Sequence, residues 1–416
     1  MCIQSAEEYI PFALRAHTII SAALVAASIL LFACDGIKQV DPFGHTRLGA
    51  STILDSAAGH AIEGVYRVEM GDDIFGTTVV LKWNGRFCNL LAEKDGIVAA
   101  MHLRRDSDRF LLEGRAWWND SQRMQDLSFE IWEKEGADSM ALGIRPTRIV
   151  IRATDGLVAR FVLLRPVNPK PFFVVAHRGG FNNSGQFNIP DNSLEMIRTA
   201  QDFGANAIEL DVRVTKDGVP IIFHDDNFTP RLVNGEFLFG AVSGFTFSHI
   251  RNFGTLKNGE RIPTLREALD EVLVSTAIDF VEFDVKNPET IAPLFDIQRD
   301  YHAQGRAMGR SLSCYIDLPT EEIANAFIRD KRHPDALCMC ELDEMWIDKS
   351  GARIWSPRWT IGTSTDRARS LKERGILFVP WTVNEPQFID ALLNEAQADG
   401  VLTDVPNIVA FKWYSR

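Results

Sequence analysis

One stretch, residues 174–225, restricts the possible folds of this chain more than any other. It carries Val-Val-Ala-His-Arg-Gly at one end and Ile-Ile-Phe-His-Asp at the other, with a strand, a turn and a second strand between them. Side chains alternate along a strand, so Glu209 and Asp211 share one face while Ile208, Leu210 and Val212 take the other. Two carboxylates side by side repel unless a cation lies between them. Asp217-Gly218 between two β-rich runs signals a two-residue hairpin turn, which needs positive φ at both central positions. With Lys216 opposite Val219, counting outward sets Asp211 opposite His224. Opposed side chains on one face lie roughly 5 Å apart, so this register delivers the second histidine to the carboxylates.

The first histidine ends an apolar run, residues 172–176, as a buried parallel strand does where it meets a loop. Asp191-Asn192-Ser193 then caps a helix with Leu194, Ile197 and Ala200 at helical spacing. This is the first β-α step of an α/β barrel. Further strands read from Ala207 and at residues 280–286, 311–316, 336–341, 353–356, 376–382 and 400–403, most of them separated by helical runs. Eight such strands predict a (β/α)8 TIM barrel, whose active site lies at the strands' carboxyl ends. The strand at 280–286 turns Glu282, Asp284 and Lys286 to one face, and burying such groups uncompensated costs several kcal/mol each. A metal bridging Asp284 to Glu209 and Asp211 compensates them, with Glu282 as a second candidate ligand or a partner of Lys286. An all-carboxylate set suits Ca²⁺ or Mg²⁺ better than Zn²⁺.

Taken in order, several pieces resemble the glycerophosphodiester phosphodiesterase family. They are His177-Arg178-Gly179, residues 204–212, Thr215-Lys216-Asp217-Gly218-Val219-Pro220, His224-Asp225, Ile262-Pro263-Thr264-Leu265, Asp284-Val285-Lys286, Trp381-Thr382-Val383-Asn384 and residues 400–406. The resemblance implies hydrolysis of glycerophosphodiesters to glycerol 3-phosphate and an alcohol. It makes His177 and His224 the acid–base pair, Glu209, Asp211 and Asp284 the metal ligands, and Arg178 and Lys286 the phosphate-binding cations. Trp381 matches the family's pocket-wall tryptophan, though a core role is equally open to it. Residues 225–259 resemble the family's insertion after the second strand. Two departures stand out: Asp284 where the family usually has glutamate, and Pro230-Arg231-Leu232 where it often has an arginine followed by two threonines.

At 416 residues, two domains are expected. A net charge of −12 argues against a nucleic-acid surface, so an anionic small-molecule substrate must be drawn by local positive charge. In residues 1–34, Arg15 and His17 precede an apolar run from Thr18 to Phe32, about 23 Å long as a helix and too short for a bilayer core. It reads as a signal sequence ending in Leu31-Phe32-Ala33-Cys34, which resembles the bacterial lipoprotein cleavage box with Cys34 as the lipidated residue. The expected location is extracytoplasmic, on the periplasmic face, with a lipid anchor in a bacterial membrane.

Residues 35–166 read as an all-β domain, a sandwich or small barrel of seven or eight short strands, with residues 167–416 as the barrel. Trp83, Trp117, Trp118 and Trp132 lie in the β-domain as core residues or as a sugar- or lipid-binding face. The four cysteines after Cys34 have no framework spacing and read as small buried residues. Two other readings remain: a lysophospholipase D or sphingomyelinase D type activity on lipid substrates, and a non-enzymatic glycan- or lipid-binding surface protein.

Overall fold

The computed structural model describes residues 52–416 apart from 54–55, 95, 107–108, 118–123, 132–146, 153–157 and 181–188. Cys34 and the apolar leader lie outside the described residues, as do Trp118 and Trp132. Residues from Ser51 onward form one compact unit.

The first layer is an antiparallel meander of eight strands, from Gly64–Met70 to Val158–Arg165, with Thr52–Ile53 as an added ninth. The first and last strands of the meander pair directly. Its two edge strands, Met124–Ile131 and Arg148–Arg152, run within 8 Å of each other and close the meander on itself. Period-2 alternation explains the two faces. Val79, Leu81 and Trp83 point into the sheet's own core, whereas Val80 points out into a second core shared with the following domain.

That shared core holds Val65, Val80, Leu91, Val98, Ala100 and Trp117 together with barrel residues. The Trp117 ring lies 5.2 Å from Phe203, Asn89 donates to the carbonyls of Gln201 and Asp202, and Arg86 donates to that of Val274. All three contacts fall on segments that lead into barrel strands. The β-layer therefore covers the barrel's amino-terminal end, opposite the end where barrel chemistry occurs. Trp117→Ala should cost about 3–5 kcal/mol of stability, read as a fall in Tm, because the packed site between the two layers cannot collapse fully into the space of the removed ring.

Eight parallel strands build the barrel: β1 (Phe173–Ala176), β2 (Ala207–Val214), β3 (Phe280–Val285), β4 (Ser313–Leu318), β5 (Cys338–Cys340), β6 (Ile354–Trp355), β7 (Leu377–Phe378) and β8 (Gly400–Thr403). The pairing runs β8-β1-β2-β3-β4-β5-β6-β7. Backbone bonds from Asp399 to Phe378 (2.9 Å) and from Leu402 to Pro380 (3.1 Å) close the ring between β7 and β8. Val175, Ala207, Phe280, Met339, Ile354 and Leu402 fill its base, and the ionisable side chains of the same strands lie nearer the carboxyl ends. Among the described residues no helix is long and apolar enough to cross a membrane. Cys88, Cys314, Cys338 and Cys340 are buried and free, and burial pushes the thiols of Cys88, Cys338 and Cys340 up to about 12.

The hairpin register differs from the expected one by a residue. Val212 faces Ile222 and Val214 faces Pro220, which sets Asp211 opposite Phe223, whose N–H bonds the Asp211 carbonyl at 2.9 Å. The turn uses three residues, Lys216, Asp217 and Gly218, between Thr215 and Val219, and only Gly218 has positive φ (79°). Thr215 selects it: its hydroxyl donates to Asp217 Oδ1 (2.6 Å) and accepts from the Val219 N–H (3.0 Å).

Candidate active site

His177 follows directly from β1, and its ring is anchored from behind. Nδ1 lies 2.7 Å from Asp404 Oδ1, and Asp404 Oδ2 accepts from the Asn384 amide at 2.6 Å. Asn384 Oδ1 in turn accepts from the Asp404 N–H (2.8 Å), so the segment after β7 and the end of β8 lock each other. Nε2 is left 4.0 Å from Glu209 Oε2. Burial pulls the imidazole pKa down, but the Asp404 hydrogen bond and the charge of Glu209 outweigh it and hold it above the ordinary value.

A second dyad stands across the site. His224 Nδ1 lies 2.8 Å from Asp225 Oδ1, and Asp225 Oδ2 accepts from Arg231 at 2.6 Å. With the register shifted, strand pairing does not position His224 opposite Asp211. The buried Arg213 guanidinium holds it by donating to the His224 carbonyl at 3.0 and 2.7 Å.

Between the dyads, Glu209, Asp211 and Asp284 each offer an oxygen, and these oxygens lie within 4.8 Å of one another. The parallel register explains the convergence, since Glu209 pairs with Glu282 and Asp211 with Asp284. Lys286 Nζ lies 2.6 Å from Asp211 Oδ1 and also contacts Asp284, not Glu282. Burial alone pushes Asp211 up, yet Lys286, His224 and Arg178 outweigh it and hold this carboxyl down at about 2. Glu209 is driven the other way, well above its ordinary value, by burial and by Asp211. Its Oε1 is buried without a hydrogen-bond partner. An orphaned carboxylate oxygen beside two others is a donor set that fits a hard divalent cation.

Arg178 sits at φ 57°, a left-handed conformation unusual for a residue with a side chain. The payoff of that strain is that its N–H bonds Glu209 Oε2 (2.7 Å) while its guanidinium reaches Asp191 (3.3 Å). Asn192, also left-handed at φ 54°, donates to Asp211 Oδ2 (2.6 Å) and accepts from the Asp211 N–H (3.1 Å). Ser193 caps the helix through the Met196 N–H at 3.0 Å, and Glu260 accepts from the Leu194 and Glu195 N–H groups at 2.6 and 3.3 Å.

The structure thus brings His177, His224, Arg178, Lys286, Glu209, Asp211 and Asp284 into one cluster. Sequence reasoning missed the roles of Asn192 and Arg213; it reads Asp404 as a residue that holds the barrel loops, and the structure adds its bond to His177. The Asn384 and Asp404 motifs were visible as short matches, but their joint hold on His177 spans 227 residues and leaves no local pattern.

The sequence profile of the "Glycerophosphoryl diester phosphodiesterase family" matches residues 177–317. A glycerophosphodiester phosphodiesterase of Caldanaerobacter subterraneus subsp. tengcongensis is 28% identical over 245 residues, which are 56% of this chain and 94% of that protein. Residues 177–317 are a glycerophosphodiester phosphodiesterase family domain. Glycerophosphodiester phosphodiesterase 1 of Rattus norvegicus is 38% identical over 126 residues, 28% of this chain and 35% of that protein's length. A solved structure of a glycerophosphodiester phosphodiesterase from Parabacteroides distasonis is similar over 60% of this chain and 99% of its own, at 21% identity and a TM-score of 0.48.

Within this glycerophosphodiester phosphodiesterase fold, the cluster opens into a cavity of about 480 Å³. Trp381 lines it, donating from Nε1 to the Ser356 carbonyl (2.9 Å) with the Arg358 guanidinium 5.4 Å from its ring. Both departures from the family pattern fall at this site. Asp284 keeps the charge of a glutamate on a shorter side chain, and Arg231 braces the His224–Asp225 pair. Asp404→Asn should remove the charge that holds the His177 pKa up. If His177 acts as acid or base, the pH–rate limb it sets should then move to lower pH, whereas a merely structural loss would lower kcat without moving it.

Proposed function

We propose that this chain is a metal-dependent phosphodiesterase that hydrolyses glycerophosphodiesters to glycerol 3-phosphate and an alcohol. The observation that carries this reading is one site holding three convergent carboxylates, two buried and one half-buried, flanked by two histidine–aspartate pairs. Glu209, Asp211 and Asp284 would hold Ca²⁺ or Mg²⁺, which when bound supplies charge stabilisation to the phosphoryl oxygens. Arg178, oriented by Asp191, offers the phosphate a planar fork, and Lys286 adds a compact charge beside it.

In the reaction, a water oxygen bonds to phosphorus and the bond from phosphorus to the alcohol oxygen breaks. One histidine takes the proton lost by water, and the other gives a proton to the departing alkoxide. In both dyads Nδ1 is committed to an aspartate, which leaves Nε2 for this proton traffic. We assign Cys34 as the lipid attachment point, with the barrel outside the cytoplasm, on the strength of the Leu31-Phe32-Ala33-Cys34 pattern alone.

The test is glycerol 3-phosphate release from glycerophosphocholine by the full chain in detergent, with Mg²⁺, Ca²⁺ or EDTA. Release that requires a divalent ion supports the reading. A folded sample that releases none with either ion, or releases it equally in EDTA, sinks it.

A further inference from the structure

Phe239 and Phe237 are the two most exposed large apolar side chains among the described residues, at 71% and 66%, and Phe253 is 48% exposed. All three lie in residues 225–259, the insertion after the second barrel strand. Leu238, between the first two, is buried in the insertion's own core with Phe228, Val233 and Leu256, and it fills the space over Gly254, where a Cβ would stand 2.2 Å from it. The chain is thus pinned at Leu238 while its two neighbours face water. His249 fastens this loop to the helix Phe247–Phe253. Its Nε2–H donates to the Phe237 carbonyl at 2.9 Å, and its ring lies 4.8 Å from that of Phe253. The Phe237 and Phe253 rings meet edge to face at 5.9 Å.

Exposed apolar side chains standing singly need no explanation, but a patch held in fixed geometry marks an interaction surface. Ordering the rings in advance also lowers the entropy cost of docking them. The size of the patch decides against a protein partner. At roughly 200 Å² a side chain, the three rings expose about 350–400 Å², half or less of the roughly 800 Å² that each partner buries in a stable interface. That area suits side chains that insert into the interfacial region of a bilayer. The charges agree. Glu236 and Lys257 beside the rings balance each other, and Arg251 is answered by Glu267, so the patch is neutral on a chain of net charge −12. The sequence also brings a bilayer within reach. The apolar run from Thr18 to Phe32 precedes the patch's unit, and residues 35–51 give at most about 60 Å of chain between Cys34 and the first described strand.

We propose that Phe237, Phe239 and Phe253 form a docking surface for a zwitterionic phospholipid bilayer, into which the three rings insert. This goes beyond the phosphodiesterase reading and does not depend on it. The same insertion braces the His224–Asp225 pair through Arg231, and its core contains Phe223, the residue before His224. Docking through the rings therefore holds the bilayer to the segment that supports the second histidine.

The experiment sediments the unit from Ser51 onward, which contains the apolar cores and lacks the apolar leader, with phosphatidylcholine vesicles at low salt and in about 0.5 M NaCl, where charge is screened. Phe237→Ser/Phe239→Ser is run beside it, with folding of both proteins checked by circular dichroism. Both side chains stand in water, so the fold does not need them. The expected result is vesicle binding that salt leaves unchanged and that the double substitution weakens about tenfold or more. Hydrogen exchange on the full chain bound to the same vesicles should show protection at residues 236–240 and 250–254 that the substitution removes. A folded unit that does not bind overturns the proposal, as does binding or protection that the substitution leaves unchanged. Binding that appears only with anionic lipid and vanishes in salt overturns it too. So does a dimer in lipid-free solution that the substitution dissolves, which would assign the rings to a second copy of the chain.

Discussion

His177→Ala should lower glycerol 3-phosphate release about 10²- to 10⁴-fold, the range general acid–base catalysis supplies. The loss should appear in kcat, because the proposed mechanism gives His177 proton movement and leaves phosphate binding to Arg178 and Lys286. Overall folding should survive. The ring is anchored by one hydrogen bond to Asp404, and its removal leaves Asp404 still held by Asn384. A single-turnover assay with excess enzyme separates the chemical step from product release. Were His177→Ala to change KM alone, the ring would be a binding group and the acid–base assignment would fall.

The second large effect is expected at Asp211. Asp211→Asn removes the carboxylate that Lys286, Arg178 and Asn192 converge on, and it removes one of three candidate metal ligands. Turnover should fall to the level seen in EDTA, and calorimetric titration with Mg²⁺ or Ca²⁺ should lose its binding heat. Stability should also fall by about 3–5 kcal/mol, because the buried Lys286 ammonium loses a close partner. The pH sign follows from the same contacts. A folded pKa held near 2, below its unfolded value, contributes stability above the unfolded pKa of 3.8, and that contribution is lost as pH falls through the folded value. Acid titration of the unsubstituted chain between about pH 4 and pH 2 should show this loss, and Asp211→Asn should flatten it. An unaltered metal-binding heat in the variant would remove Asp211 from the ligand set.

Much of this site was legible in the chain because its parts are local. The Glu209-x-Asp211 face follows from strand alternation, and Asp284 joins it through a parallel register that places equal faces side by side. The barrel strands were legible from their apolar runs, with boundaries displaced by up to four residues where short strands run into loops, as at 376–382 against Leu377–Phe378. What was not legible depends on side chains closing over long separations or on a competing local bond. The Thr215 hydroxyl selected a three-residue turn over the two-residue one, and a single hydroxyl moved His224 out of the position that counting assigned to it. Asn192 looked like part of a helix cap because its residue type favours caps. Its left-handed backbone instead turns the amide onto Asp211.

The apolar core that runs from Val65 and Trp117 across to Phe203 and Ala410 belongs to neither domain alone. A protease that cuts the segment between Arg165 and Phe173 would therefore break the chain without parting the molecule. The fragments should co-migrate on a sizing column and separate only in denaturant. For anyone dissecting this enzyme, the barrel is not a detachable module, and a truncation beginning near residue 167 would expose the face that the β-layer normally keeps dry.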